Sequence, residues 1–256
     1  MRHRHIGSSG VLLTALFVVL AALTATGCGG PAPAPQRLLV FAAASLTAAF
    51  EELAAEYERN QPGVEVALHF GGSSQLAMQL REGAAADVFA SADPDNMQRV
   101  VDAGLVAGTP VVFAHNHLAI VVHRGNGKRI GTLADLARAD VAVALCGPEV
   151  PAGRYAREAL QKAGVAVASR SDEQNVKALV AKVQLGEIDA AIAYVTDARA
   201  PDLEGLPLPA AHDVRADYPI ALLDRAPGKQ LGAGFVQFAT SPRGRAILAA
   251  HGFAAP

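Results

Sequence analysis

From residue 37 onward, short apolar runs alternate with longer stretches in which apolar residues recur every three or four positions. The short runs, at 37–42, 64–70, 87–91, 117–122, 141–145, 188–195 and 218–223, predict strands. The longer stretches predict helices at 46–59, 74–82, 94–103, 132–138, 153–163, 175–185, 229–240 and 243–251. Pro94 suits a helix first turn, with Asp93 as the cap ahead of it, and Asp172, Asn175 and Val176 open the helix that follows them. Strand–helix alternation of this kind predicts an α/β fold with parallel pairing. One βα set, a second set, and then a return strand with two terminal helices predict two lobes joined by crossing segments near 116–124 and 212–219. Lobe one is expected to comprise 37–120 and 216–256, and lobe two 121–215. In such architectures ligands bind between the lobes, at the carboxyl ends of strands.

The first 36 residues follow a different pattern. A basic start, Arg2-His3-Arg4-His5, precedes an apolar run from Val11 to Leu23 that is too short for a typical membrane span. The run ends at Ala25-Thr26-Gly27-Cys28, followed by the Pro- and Ala-rich stretch 29–35. This order resembles a bacterial lipoprotein signal, which implies removal of 1–27, a lipid on Cys28 and a flexible tether over 28–36. The expected location is the extracytoplasmic face of the cell membrane. Composition adds three limits. With 22 Lys and Arg against 24 Asp and Glu, net charge is −2, which gives no support to nucleic-acid binding. Cys146 is the only other cysteine, so no intramolecular disulfide can form once Cys28 is lipidated. The absence of Trp and the abundance of Ala and Gly predict a core of small aliphatic side chains.

The candidate chemistry lies at two copies of one construction, in which a strand, tiny residues and a serine lead into an amphipathic helix. The first is Leu38-Leu39-Val40-Phe41-Ala42-Ala43-Ala44-Ser45-Leu46-Thr47. The second is Val64-Glu65-Val66-Ala67-Leu68-His69-Phe70-Gly71-Gly72-Ser73-Ser74-Gln75-Leu76. A hydroxyl at such a turn is expected to cap the helix, beside N–H groups at the positive end of the helix dipole. That corner suits an anion without a cationic side chain. In Val150-Pro151-Ala152-Gly153 the proline occupies a helix start where its missing N–H costs nothing, leaving the following N–H groups free. Tyr194 ends an apolar strand, at the edge where the cleft is expected.

Several further segments, in register from residue 37 to the C-terminus, carry a resemblance. They are Phe41-Ala42-Ala43-Ala44-Ser45-Leu46, Gly72-Ser73-Ser74-Gln75-Leu76, Ala86-Asp87-Val88-Phe89-Ala90-Ser91-Ala92-Asp93, Val150-Pro151-Ala152-Gly153-Arg154-Tyr155-Ala156, Asn175-Val176-Lys177, Ala193-Tyr194-Val195-Thr196-Asp197-Ala198 and Tyr218-Pro219-Ile220. Together they resemble the periplasmic molybdate-binding proteins of ABC importers. The resemblance implies a two-lobed type II periplasmic-binding fold, each lobe a mixed sheet flanked by helices. It also implies capture of molybdate or tungstate between the lobes by uncharged donors. Carried over position by position, Ser45 and Ser73 each offer a hydroxyl and a backbone N–H. Ala152 and Val176 offer backbone N–H groups, and Tyr194 offers its phenol. Where the family often has serine this chain has Gly71-Gly72, so Ser74 stands as a rival to Ser73. No protein atom is expected to ligate the metal directly, no cofactor is implied, and the partners are an ABC permease and its ATPase. The binding protein itself is expected to be a monomer.

Other functions leave identifiable traces. Sulfate would use the same neutral donors and differs chiefly in radius, so it stands as the alternative ligand. Phosphate carries a proton and calls for an acidic acceptor, absent from the five donors. A planar carboxylate calls for an arginine fork, and Arg154 is expected to point to solvent. An enzyme would need a nucleophile such as Cys146, but no His or carboxylate is placed by sequence to activate it. His115 and His117 share a strand face yet lack a third ligand for a metal, and a surface or hinge role is expected of them.

Overall fold

A computed structural model describes residues 35–256; the signal segment 1–27, Cys28 and most of the tether lie outside the described residues. Two five-stranded mixed sheets organise the chain. The first takes β1 (Gln36–Ala43), β2 (Val64–Gly71), β3 (Val88–Ala90), β4 (Val106–Asn116) and β10 (Ala216–Leu223), in the order β2-β1-β3-β10-β4. β1 is parallel to β2 and β3, whereas β10 runs antiparallel to β3 and β4. The second sheet has the order β7-β6-β8-β5-β9, from β5 (Leu118–His123), β6 (Val143–Cys146), β7 (Asp172–Glu173), β8 (Ala190–Tyr194) and β9 (Leu203–Pro207). Here β6 is parallel to β7 and β8, and β5 is antiparallel to β8 and β9.

Helices cover these sheets because their apolar positions fall on one face. In α1 (Thr47–Asn60) the buried residues are Ala49, Phe50, Leu53, Ala54 and Tyr57, a helical stripe against the first sheet. Phe50 meets Phe113 and Phe235 edge-on, and Tyr57 meets Phe235 at 5.4 Å between ring centroids. These contacts seat α6 (Lys229–Thr240) and the adjoining α7 (Pro242–Ala250) on the same lobe. The remaining helices are α2 (Ser73–Arg81) and α3 (Pro94–Asp102) beside the first sheet, with α4 (Pro151–Ala163) and α5 (Val176–Gln184) beside the second. β5 and β8 are buried at nearly every position, as strands covered on both faces are.

The chain passes between sheets at His117, which separates β4 from β5, and again between β9 and β10. The two passages are tied together, since His117 Nδ1 and Asp213 Oδ2 pair at 2.5 Å and the Leu118 N–H donates to Asp213 Oδ1 at 3.3 Å.

Three strands and one turn depart from the sequence reading. β4 is unpredicted because Gly108, with a φ of +80°, and Pro110 interrupt it and exposed Val111 and Val112 break the alternation. Its place at a sheet edge tolerates that proline. β7 and β9 are also edges, and too short or too mixed to carry a period. Asp172 therefore pairs in β7 rather than opening a helix. The helix expected over 132–138 is a 3-10 stretch, Leu133–Ala137, held by a Thr132/Asp135 capping box.

Candidate functional site

Four chain turns and one strand end converge on a small cavity between the two sheets' strand ends. At the first turn β1 runs into a 3-10 turn, Ala44–Leu46, before α1 begins. Ser45 lies inside that turn with its Oγ 2.9 Å from the Tyr218 hydroxyl. At the second, Gly72 is the N-cap of α2 and Ser73 its first residue, and the Ser73 Oγ accepts the Ala92 N–H at 2.9 Å. Neither serine caps its helix, contrary to the expectation from their position. Both hydroxyls are engaged sideways, by Tyr218 of β10 and by the loop after β3. Ser73, not Ser74, lines the cavity; Ser74 faces an adjoining groove with Gln75 and Met78.

Lobe two contributes backbone. α4 starts at Pro151 after the N-cap Val150, with no side chain capping its first turn. The N–H groups of Ala152 and Gly153 therefore have no partner within the helix. Gly153 is needed there, because a Cβ would overlap the carbonyl oxygens of Cys146 and Gly147. α5 is capped by Asn175, whose side chain accepts the Ala178 N–H at 3.0 Å and leaves the Val176 N–H toward the helix's open end. Tyr194 closes β8. Its hydroxyl is buried and has no hydrogen-bond partner, and burial raises its pKa well above the ordinary value, so the proton stays on.

The structure thus brings Ser45, Ser73, Ala152, Val176 and Tyr194 around one cavity, completed mainly by Ala43, Ala44, Gly71, Gly72, Ala92 and Asn175. No Lys, Arg, Asp or Glu lines it among the described residues. The arrangement offers hydrogen donors converging from helix starts and hydroxyls, which suits a compact anion.

Three supporting features went unassigned in the sequence. Arg154 does not point to solvent. Its guanidinium crosses to the first lobe and meets the fully buried Asp93 at 2.6 Å and Asp95 at 3.3 Å. Asp93 also caps α3 as expected, accepting from the Asn96 N–H, and takes the Ser91 hydroxyl. Asp197, buried beneath Tyr194, accepts that residue's N–H at 3.3 Å and lies 3.4 Å from Lys177 Nζ on α5. Burial pushes its carboxyl up to about 6 despite Lys177. Finally, Asn116 at the first passage bonds Thr196 Oγ1 and approaches Tyr218. Arg154, Asp93, Asp197 and Lys177 fall inside the segments quoted above, whereas Asn116 lies outside all of them, and nothing in their spacing reveals the partners.

The rival chemistries fare differently. Burial pushes the Cys146 thiol far up, the opposite of an activated nucleophile. The imidazoles are dispersed: His115 lies beside Asp217, His117 beside Asp213 and His69 against Phe41. Among the described residues no cluster of three metal-ligating side chains occurs, and no helix is long and apolar enough to cross a membrane.

Residues 38–254 match the family model described as bacterial extracellular solute-binding protein. The molybdate-binding protein ModA of Mycobacterium tuberculosis (strain ATCC 25618 / H37Rv) is 41% identical over 262 residues, spanning 99% of this chain and 100% of that relative. Among solved structures, the periplasmic molybdate-binding protein of Azotobacter vinelandii aligns with a TM-score of 0.75 at 20% identity, over 86% of this chain and 99% of that one. The sulfate-binding protein SubI of Mycobacterium tuberculosis H37Rv aligns with a TM-score of 0.77 at 18% identity, over 85% and 86%. One fold therefore serves proteins named for different oxyanions.

Proposed function

The chain belongs to the bacterial extracellular solute-binding proteins, and from that premise we propose that it captures molybdate, and equally tungstate, for import by an ABC permease and its ATPase. It is a carrier rather than an enzyme, and binding needs no cofactor. The observation that carries the reading is the buried, unpartnered Tyr194 hydroxyl facing a cavity lined only by uncharged groups. A buried hydroxyl left unpaired is costly, and an oxyanion placed there relieves it. Ser45 and Ser73 supply hydroxyl donors from one lobe, Ala152 and Val176 supply backbone N–H groups from the other, and Tyr194 supplies the fifth donor. No protein atom bonds to the metal. Closure of the lobes on the anion forms the state that the permease recognises.

Calorimetric titration of the protein and of Tyr194→Phe with molybdate tests this reading. The variant is expected to lose about 1–3 kcal/mol of binding, roughly five- to 150-fold in affinity. Its thermal midpoint without ligand should stay level or rise slightly, because the deleted hydroxyl has no partner there. Unaltered affinity would place Tyr194 outside the contact shell.

The protein acts outside the cytoplasmic membrane as a monomer tethered through a lipid on Cys28. Replacing Cys28 by Ala is expected to block lipidation and signal removal, so that the precursor keeps its full mass. Normal processing and release of that variant would exclude the anchor.

A further inference from the structure

Building on the oxyanion reading, we propose that Tyr218, held by Asn116, is a positioning residue that commits the Ser45 hydroxyl to donate its proton to the bound anion. The direction of this chain of hydrogen bonds is set by a group that can only donate. The His117 backbone N–H donates to Asn116 Oδ1 at 3.0 Å, which fixes which end of the amide is oxygen. Asn116 Nδ2 therefore faces Thr196 Oγ1 at 2.9 Å and, at a longer 3.5 Å, the Tyr218 hydroxyl.

Tyr218 is fully buried, and burial raises its phenol far above the ordinary value, so it keeps its proton. Its hydroxyl lies 2.9 Å from Ser45 Oγ and a longer 3.5 Å from Asn116 Nδ2, with the Tyr194 ring edge-on beside it. An amide nitrogen has no lone pair to offer. Ser45 Oγ, at 2.9 Å, is the acceptor within short hydrogen-bond reach, and we assign the Tyr218 proton to it. Ser45 is left with its own proton free and lines the cavity.

Ser73 arrives at the same state by a separate route. Its Oγ accepts the Ala92 N–H at 2.9 Å, and a backbone N–H cannot reverse the bond. A serine hydroxyl with no such partner rotates to donate or accept as its ligand requires. Here both are polarised from behind, so neither serine is left to accept a proton from a protonated anion. The irregular register at Tyr218 and Pro219 in β10 marks a local distortion of the strand at this residue.

A double-mutant cycle with molybdate affinity as its readout distinguishes a positioning role from a merely structural one. The cycle uses the unaltered protein, Tyr218→Phe, Ser45→Ala and the combination, each titrated by calorimetry. Tyr218→Phe alone is expected to weaken molybdate roughly five- to thirtyfold. In the Ser45→Ala background the same change should cost less than about twofold, because the donor it orients is gone. Equal losses in both backgrounds overturn the proposal, and so does full affinity in the single variant. Should Tyr218→Phe fail to fold, Asn116→Ala carries the same cycle. It frees the Tyr218 oxygen to accept from Ser45, with an expected loss of about two- to tenfold that disappears without Ser45; an additive loss again overturns the proposal. Failure of the unaltered protein to bind molybdate would sink the oxyanion reading itself, a result distinct from an additive cycle in a protein that binds.

Discussion

Gly72→Ala is expected to abolish tight molybdate binding while leaving the fold of both lobes intact. Gly72 caps α2 from the first lobe, and a Cβ built on it would overlap the carbonyl oxygen of Gln174, which belongs to the β7–α5 connection of the second. Backbone on both sides leaves no flexible side chain to move aside, so the added methyl must hold the lobes apart. Its φ of −63° is ordinary for any residue, and the substitution therefore introduces no local strain. What is lost is the approach of α4 and α5, hence the N–H donors of Ala152 and Val176. Two hydrogen bonds to a dianion amount to roughly 3–6 kcal/mol, or about two to four orders of magnitude in affinity. Calorimetry with molybdate checks the loss, and a thermal midpoint within a few degrees of the unaltered protein checks that folding is spared. Full affinity in this variant would mean that the liganded protein does not adopt the close approach seen at Gly72.

Much of this arrangement is legible in the amino-acid sequence, for reasons that differ by residue. Helices such as α1 and α4 carry an uninterrupted stripe, and β5 and β8 are apolar throughout, so period and run length identify them. Pro151 announced a helix start through its fixed backbone and Asn175 through its capping side chain, and both sit where that chemistry places them. The serines show the limit of such local rules. Their position predicts caps, yet Tyr218 and Ala92, distant in sequence, engage the hydroxyls instead.

Long-range pairing escaped local reading altogether. Arg154 follows the helix start by three residues, a spacing equally suited to solvent, and only the closed interlobe geometry brings it to Asp93. Edge strands were lost for a related reason. β4 is held by its ladder to β10 rather than by any pattern of its own, and an edge position admits Gly108 and Pro110. Ala152 and Val176 act through backbone N–H groups that any residue would offer, so their side chains carry no signal. Resemblance in register was the sole route to them, and the cavity then gathered them with Tyr194.

The same interlobe contacts that make Gly72 sensitive also predict which anions the cavity accepts. Sulfate is expected to displace molybdate only at concentrations about two to four orders of magnitude higher, the equivalent of two missing hydrogen bonds. The two anions share charge and tetrahedral shape, so a cage of uncharged donors separates them by reach alone. Every donor is short or part of the backbone: a hydroxyl and an N–H from each of two serines, two helix-start N–H groups and a phenol packed at 1% exposure. None can extend toward a smaller ion. The lobes cannot close further to compensate, because Gly72 already abuts the Gln174 carbonyl and Arg154 already meets Asp93 at 2.6 Å. A rigid stop of this kind converts a small difference in radius into lost contacts from one lobe. Tungstate, matched to molybdate in radius, should bind within about tenfold of it, a difference under 1.4 kcal/mol. Because no cationic side chain lines the cavity, this ranking should persist as ionic strength rises, unlike attraction to an exposed basic patch. Competition at neutral pH, with molybdate held near its dissociation constant, measures the ranking directly. Displacement by sulfate at comparable concentration would assign the protein to the sulfate carriers that share its fold.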